Sequence, residues 1–190
     1  MVRIPTVSTA LRRLYHVAWQ PVAGLPLAAS AVAGFALARF GPIRVLGPRD
    51  TGRIIAHFIA LSAEDRMARF NGYIDIYGLA HRYRALDWRH VRLTGYLRRG
   101  KIIALSEEFE ATLGGRPARE IALSVATPRQ GTHLGERLLR DAIRRVCKAD
   151  RLPLVLITQT DNPRMIHLCR KLGGQIEHDS GELRVVFPAA

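Results

Sequence analysis

The sequence is short of acid, of lysine and of cysteine, and each shortage narrows what the chain can be. No Asp or Glu occurs before Asp50, although Arg3, Arg12, Arg13, Arg39, Arg44 and Arg49 already stand in that stretch. Over the 190 residues, 29 Lys and Arg face 16 Asp and Glu, a formal net charge of +13, and Lys101, Lys148 and Lys171 are the only lysines. A surplus of that size favours anionic partners: phosphorylated cofactors, acidic substrates, nucleic acid or an anionic membrane surface. Nucleic acid is the weakest of these, because the chain has no dense Lys/Arg run, no aromatic-and-basic stripe and no helix-turn-helix pattern. Cys147 and Cys169 are the only cysteines. They exclude a disulfide framework, suit a reducing cytoplasmic interior and read as small core residues. The histidines are scattered without ligand spacing, so no metal is expected.

What is present fits one globular domain with a short extension: 48% of residues are apolar and 24% charged. We divide the chain into an extension over 1–41 and a domain over 42–190. Between Arg13 and Arg39 the extension holds no charged residue apart from His16, and its core over 22–38 is rich in Ala, Val and Leu. That length is borderline for a membrane span, which needs about 20 apolar residues, and Pro21, Gly24, Pro26 and Gly34 weaken it. Three readings stand open: a weak membrane anchor, an Arg-rich targeting peptide carrying Ala29-Ser30-Ala31, or a helix that packs on the domain or arises from a misplaced start.

From residue 42 strands and helices alternate. A short strand over 43–46 precedes a helix over 50–60 whose apolar face is Ile54, Ile55, Phe58 and Leu61. Ser62 with Asp65 reads as the cap of a second helix ending near Phe70, and a third covers 74–85. Two extended segments, 91–97 and 102–106, are joined by Arg98-Arg99-Gly100-Lys101 and predict a hairpin. A strand over 120–126 leads into a long helix over 135–149, faced by Leu134, Leu138, Leu139, Ala142 and Val146. The unbroken apolar run at 154–157 predicts a strand buried on both faces. Asp161-Asn162-Pro163 opens another helix, which stops at Gly173-Gly174, and 184–187 closes the chain as a strand.

Chemistry concentrates where the strand at 120–126 meets the helix after it. The link Gln130-Gly131-Thr132-His133-Leu134-Gly135 is a glycine-containing turn at a helix N-terminus. Unpaired N–H groups and the helix dipole suit a pyrophosphate there. Alone, such a turn is a weak signal.

The segment resembles the GNAT superfamily of N-acetyltransferases, whose pyrophosphate turn reads Gln/Arg-x-x-Gly-x-Gly/Ala after a strand that often begins with glutamate. Gln130, Gly131, Leu134 and Gly135 fit that turn, and Leu138-Leu139 fit the leucines that follow. About forty residues on, Asn162, Met165, Leu168, Lys171, Leu172 and Gly173 match the superfamily's second signature, in the right order and across a buried strand. Leu61-Ser62, Glu64-Asp65 and Arg69-Phe70 more loosely resemble the opening of the GNAT domain in bacterial protein lysine acetyltransferases. The resemblance covers about 42–187.

It implies an α/β fold with a mixed sheet splayed around acetyl-CoA, and transfer of the acetyl group to a primary amine, either a protein lysine or a small amine. Glu120 stands where several members place a general base. Equally, it reads as a strand-end carboxylate paired with Arg119 or Arg129. Backbone groups of Leu123, Ser124 and Val125 would pair with the pantetheine arm. Amides of Gln130, Gly131, Thr132, His133, Leu134 and Gly135 would hold the pyrophosphate. Asn162 would contact the arm while also capping its helix.

Three departures follow. His133 replaces a usual glycine. Cys169 replaces a tyrosine that returns a proton to the CoA thiolate, so it is either a substitute acid or a packed core residue. Gly174 replaces a common phenylalanine, removing an apolar contact. These departures keep open a second function, a GNAT-fold acyl-CoA-binding or sensor module without turnover. Arg144 and Arg145 read as a solvated face.

Overall fold

The computed structural model describes residues 42–70, 72–179 and 181–190. The extension over 1–41, and with it every reading of that segment as anchor, targeting peptide or packed helix, lies outside the described residues. Among the described residues, no helix is long and apolar enough to cross a membrane.

Short β1 (Arg44–Leu46) leads into α1 (Thr51–Ile59), α2 (Ala63–Phe70) and α3 (Ile76–Arg84). β2 (Val91–Arg98), β3 (Lys101–Leu113) and β4 (Arg116–Val125) form a meander. Then come α4 (Leu134–Ile143), continued by a π-helical turn over Arg144–Ala149, β5 (Leu154–Gln159) and α5 (Pro163–Lys171). β6 (Gln175–Asp179) and β7 (Glu182–Phe187) complete one seven-stranded sheet ordered β1-β2-β3-β4-β5-β7-β6. All neighbours are antiparallel except β4 and β5, which run parallel.

The strand period of two divides the core. On one face Ile54, Phe58, Leu61, Phe70, Leu79 and Tyr83 of the first three helices pack against Leu93, Ile102 and Leu105. On the other, Leu134, Leu138, Leu139, Ala142 and Cys169 pack against Ile121, Leu123, Leu154, Leu156, Val185 and Phe187. β4 serves both: Ser124 and Leu123 are adjacent yet look to opposite sides.

The structure extends the predicted elements in two places. β3 and β4 are far longer than the predicted 102–106 and 120–126, and a Gly114-Gly115 turn joins them with φ values of +57° and +78°. The run Glu107-Glu108-Phe109-Glu110 hid this hairpin, because the two carboxylates buried in it, Glu107 and Glu108, do not look like strand. β6 is polar and lies at the sheet edge beyond β7, where it needs no apolar alternation. The caps agree with the sequence: Ser62 Oγ accepts from the Asp65 N–H at 3.0 Å and Asn162 Oδ1 from the Met165 N–H at 3.1 Å.

Candidate active site

β4 and β5 are paired only at Arg119↔Leu154 and Glu120↔Val155. Beyond that point they part, and a cleft of about 670 Å³ opens between Ala122–Val125 on one wall and Leu156, Thr158 and Gln159 on the other. Arg119 N–H still reaches the Pro153 carbonyl, while Ala126 N–H turns the opposite way, to Ile103. Backbone groups alternate sides along a strand, so those of Leu123 and Val125 face the cleft. The parted strand therefore presents peptide groups to whatever lies between the walls.

The floor is the turn into α4. Gly131 has φ +75° and His133, the residue before the helix, φ +62°. His133 keeps the left-handed backbone that a glycine would take; histidine is among the residues that tolerate it. Its side chain is exposed and points to Glu136, at 3.3 Å, rather than across the turn. The first turn of α4 leaves the N–H groups of Leu134, Gly135 and Glu136 without intrahelical acceptors, and the dipole adds positive potential. A Cβ built on Gly135 would already touch Val125 Cγ2 at 3.5 Å, so a longer side chain there fills the cleft.

Glu136 is the one acid in that turn, and its charge is neutralised. Hydrogen bonds from Lys171 (2.8 Å) and Arg140 (2.7 Å) hold its carboxyl down to about 2. Arg129 and Arg164 also line the cleft, and Arg164 donates to the Gln130 side-chain carbonyl. Asp65 of α2 accepts from Thr127 Oγ1 at 2.6 Å, tying the first helices to the turn's approach. Burial raises the Asp65 pKa, but bonds from Thr127, Gln130 and Ser62 with the Arg164 charge bring it below the usual range.

Of the predicted site residues, Leu123, Ser124, Val125, Gln130, Gly131, His133, Leu134, Gly135 and Asn162 line this cleft. Thr132 sits in the same turn, its hydroxyl donating to the Arg129 carbonyl. Glu120 stands at the last β4–β5 pair, on the face covered by α1–α3, within electrostatic reach of Arg69. Cys169 is fully buried in the core beneath α5, and burial pushes its thiol up to about 12. It does not line the cleft.

A buried polar network escaped the sequence reading. Arg69 borders the cleft, pairs with Glu107 and lies over the Phe58 and Phe70 rings at 5.7 and 5.0 Å. Tyr83 donates to Glu107 at 2.8 Å. His57 of α1 lies 3.0 Å from the Ile102 carbonyl through Nδ1 and 2.9 Å from Ser124 Oγ through Nε2. The spacing did hold a signal: His57 is three residues after Ile54 and four before Leu61, on the buried face of its helix. Among the described residues no cluster of His, Cys, Asp or Glu could hold a metal ion.

A mixed sheet splayed between its fourth and fifth strands, above a glycine-containing turn at a helix N-terminus, is the GNAT acetyltransferase fold. Solved structures agree. The chain superposes on the GNAT domain of S. lividans PAT with a TM-score of 0.64 and 21% identity, covering 77% of this chain and 89% of that one. A spermidine N-acetyltransferase from Vibrio cholerae, in complex with CoA and spermine, gives 0.61 and 19%, covering 78% and 95%. An aminoglycoside acetyltransferase in complex with coenzyme A gives 0.60 and 16%, covering 77% and 93%. No protein-family model and no curated protein matches the sequence.

Proposed function

We propose that this protein is an acetyl-CoA-dependent N-acetyltransferase that passes an acetyl group to a primary amine. The observation that carries this reading is the parting of β4 from β5 directly above the α4 turn. An extended arm laid against Leu123, Ser124 and Val125 gains backbone hydrogen bonds without breaking any. The pyrophosphate then falls on the amides of the turn from Gln130 to Gly135, beside Arg129 and Arg164, and Asn162 flanks the arm. The two CoA-bound neighbours support the same ligand.

Attack on a thioester needs a neutral amine, so an ammonium acceptor must first lose a proton. Glu120 is the proposed base, acting directly or through water, and Cys169 receives no catalytic role. A protein lysine or a small amine both suit the side of the cleft beside α2, where Glu64 is among the lining residues and offers acid to a cation. The reaction draws on intracellular acetyl-CoA and so belongs to the cytoplasm. A second reading, an acyl-CoA-binding module without turnover, is favoured by one observation: the residue in the usual acid's place, Cys169, is sealed in the core.

Calorimetry with acetyl-CoA on the full chain tests the site. Wild type binds in the micromolar range, Gly135→Ala retains binding and Gly135→Glu abolishes it. Folded wild type that does not bind refutes both readings. Binding without acetylation of any amine supports the module.

A further inference from the structure

The buried pair His57–Ser124 has the geometry of an activated hydroxyl. A carbonyl oxygen only accepts, so the 3.0 Å contact with Ile102 fixes the proton on His57 Nδ1. Nε2 is then a bare acceptor, and Ser124 must donate to it across 2.9 Å. Hydroxyl, base and a third group that orients the base are the parts of a proton-transfer unit. Both side chains are buried, at 7% and 4% exposure, but of the two only Ser124 belongs to the cleft lining, with His57 behind it. Ser124 also lies between Leu123 and Val125, whose backbone faces the cleft, so its hydroxyl is beside the wall proposed to hold the pantetheine arm.

We propose that Ser124 and His57 form a relay that carries one proton from the attacking amine nitrogen to the departing thioester sulfur, Ser124 as the catalytic hydroxyl and His57 as the positioning base behind it. The inference rests on the acetyl-transfer reading. It leaves Glu120 a separate task, because Glu120 and Ser124 are four residues apart on one strand face, about 13 Å at the usual rise. Glu120 strips the ammonium before attack; the relay serves the intermediate.

The amine lone pair forms the C–N bond, and the carbonyl π pair moves to oxygen. The resulting N⁺–H gives its proton to Ser124 Oγ as the hydroxyl proton passes to His57 Nε2. When the carbonyl re-forms, the C–S bond breaks and its electron pair stays on sulfur. Ser124 protonates that sulfur and recovers its own proton from His57. Amide and free thiol leave, and the relay is as it began.

The relay also answers a gap left by Cys169: it supplies an acid to the thiolate from the cleft wall. The charged groups acting on the imidazole are Glu107 of β3, which favours its protonation, and Arg69 of α2, which opposes it. Burial dominates and holds the His57 pKa below the ordinary value of 6.5, so the ring is neutral and ready to accept near neutral pH.

The test measures free-thiol release from acetyl-CoA with spermine and with a lysine-bearing peptide, across pH, on the full chain. Ser124→Ala is expected to lose about 100-fold in kcat with the KM for acetyl-CoA unmoved, and Ser124→Thr to recover most of it. The wild-type rate falls more steeply at low pH than ionisation of the acceptor amine and of Glu120 alone would give, because His57 also takes a proton, and that extra steepness is absent from Ser124→Ala and His57→Gln. Should His57→Gln fail to fold, the two Ser124 variants decide alone. Wild-type turnover that Ser124→Ala leaves intact, or a low-pH profile whose shape neither substitution changes, overturns the relay and spares the acetyl-transfer reading. A wild type that acetylates neither amine removes both.

Discussion

Glu107 and Glu108 are neighbours on β3 that look to opposite faces of the sheet. Both are almost wholly buried, at 1% and 3% exposure, and both meet an arginine from a helical segment. Glu107 receives Arg69 of α2 and the Tyr83 hydroxyl. Glu108 receives Arg145, from the π-helical turn after α4, through contacts of 2.7, 3.0 and 3.1 Å. The chemistry is the same, but the surroundings are not. Arg69 forms part of the cleft wall and feels Glu120, whereas Arg145 is bridged to Asp141 at 3.3 Å on the far side. A buried ion pair does not announce by itself whether it serves the fold or the reaction; what its arginine borders decides.

Removing one partner tests the contrast with the largest effect. Arg69→Ala and Arg145→Ala each strand a buried carboxylate, and each is expected to lose about 3–5 kcal/mol in urea unfolding. Replacing both partners by apolar residues sharpens the comparison, since it removes the stranded charge as well. Glu108→Leu with Arg145→Met recovers most of the stability and keeps acetyl transfer. Glu107→Leu with Arg69→Met recovers stability without activity. Equal activity in the two double variants would erase the distinction.

Smaller effects separate the pairs further. Only Glu107 has a phenol, and Tyr83→Phe is expected to cost about 1.5 kcal/mol, the worth of a hydrogen bond to a charged group, read from the urea midpoint. Glu108 carries a raised pKa: burial lifts it above 4.5 and the charges of Arg145, Arg92 and Arg119 do not bring it back. A raised carboxyl pKa favours the fold while the group is protonated. Its contribution is full below 4.5 and lost as pH rises through the raised value. Glu108→Gln removes that pH-dependent slope, seen by comparing urea midpoints across the mildly acidic range.

These arginines also mark where the sequence was opaque. Arg144 and Arg145 read as a solvated face, yet Arg145 is drawn in by a glutamate 37 residues earlier, a contact with no local period to betray it. The turn into α4 and the Asn162 cap were legible because backbone geometry there demands particular residues at fixed spacing. His57 was half legible: its place on a buried helix face could be read, its partner on β4 could not. Gly174 misled in an instructive way. Its missing phenylalanine looked like a lost contact, but a Cβ there would lie 2.5 Å from Val185 Cγ1 and 3.0 Å from the Phe187 ring. Phe187 of β7 already fills that space.

The narrow seam between β4 and β5 bears on more than ligand placement. Two residue pairs stitch β1–β4 to β5–β7 across the middle of the sheet, so the molecule resembles a book whose spine is sewn at one end. Under the proposed function the bound arm closes the unsewn length, standing in for a strand that the chain never encodes. Loaded and empty protein then differ in mechanical integrity as well as in chemistry, and folding strength rises with the supply of the ligand. The seam thus makes the fold's resistance to opening a gauge of how much donor surrounds it.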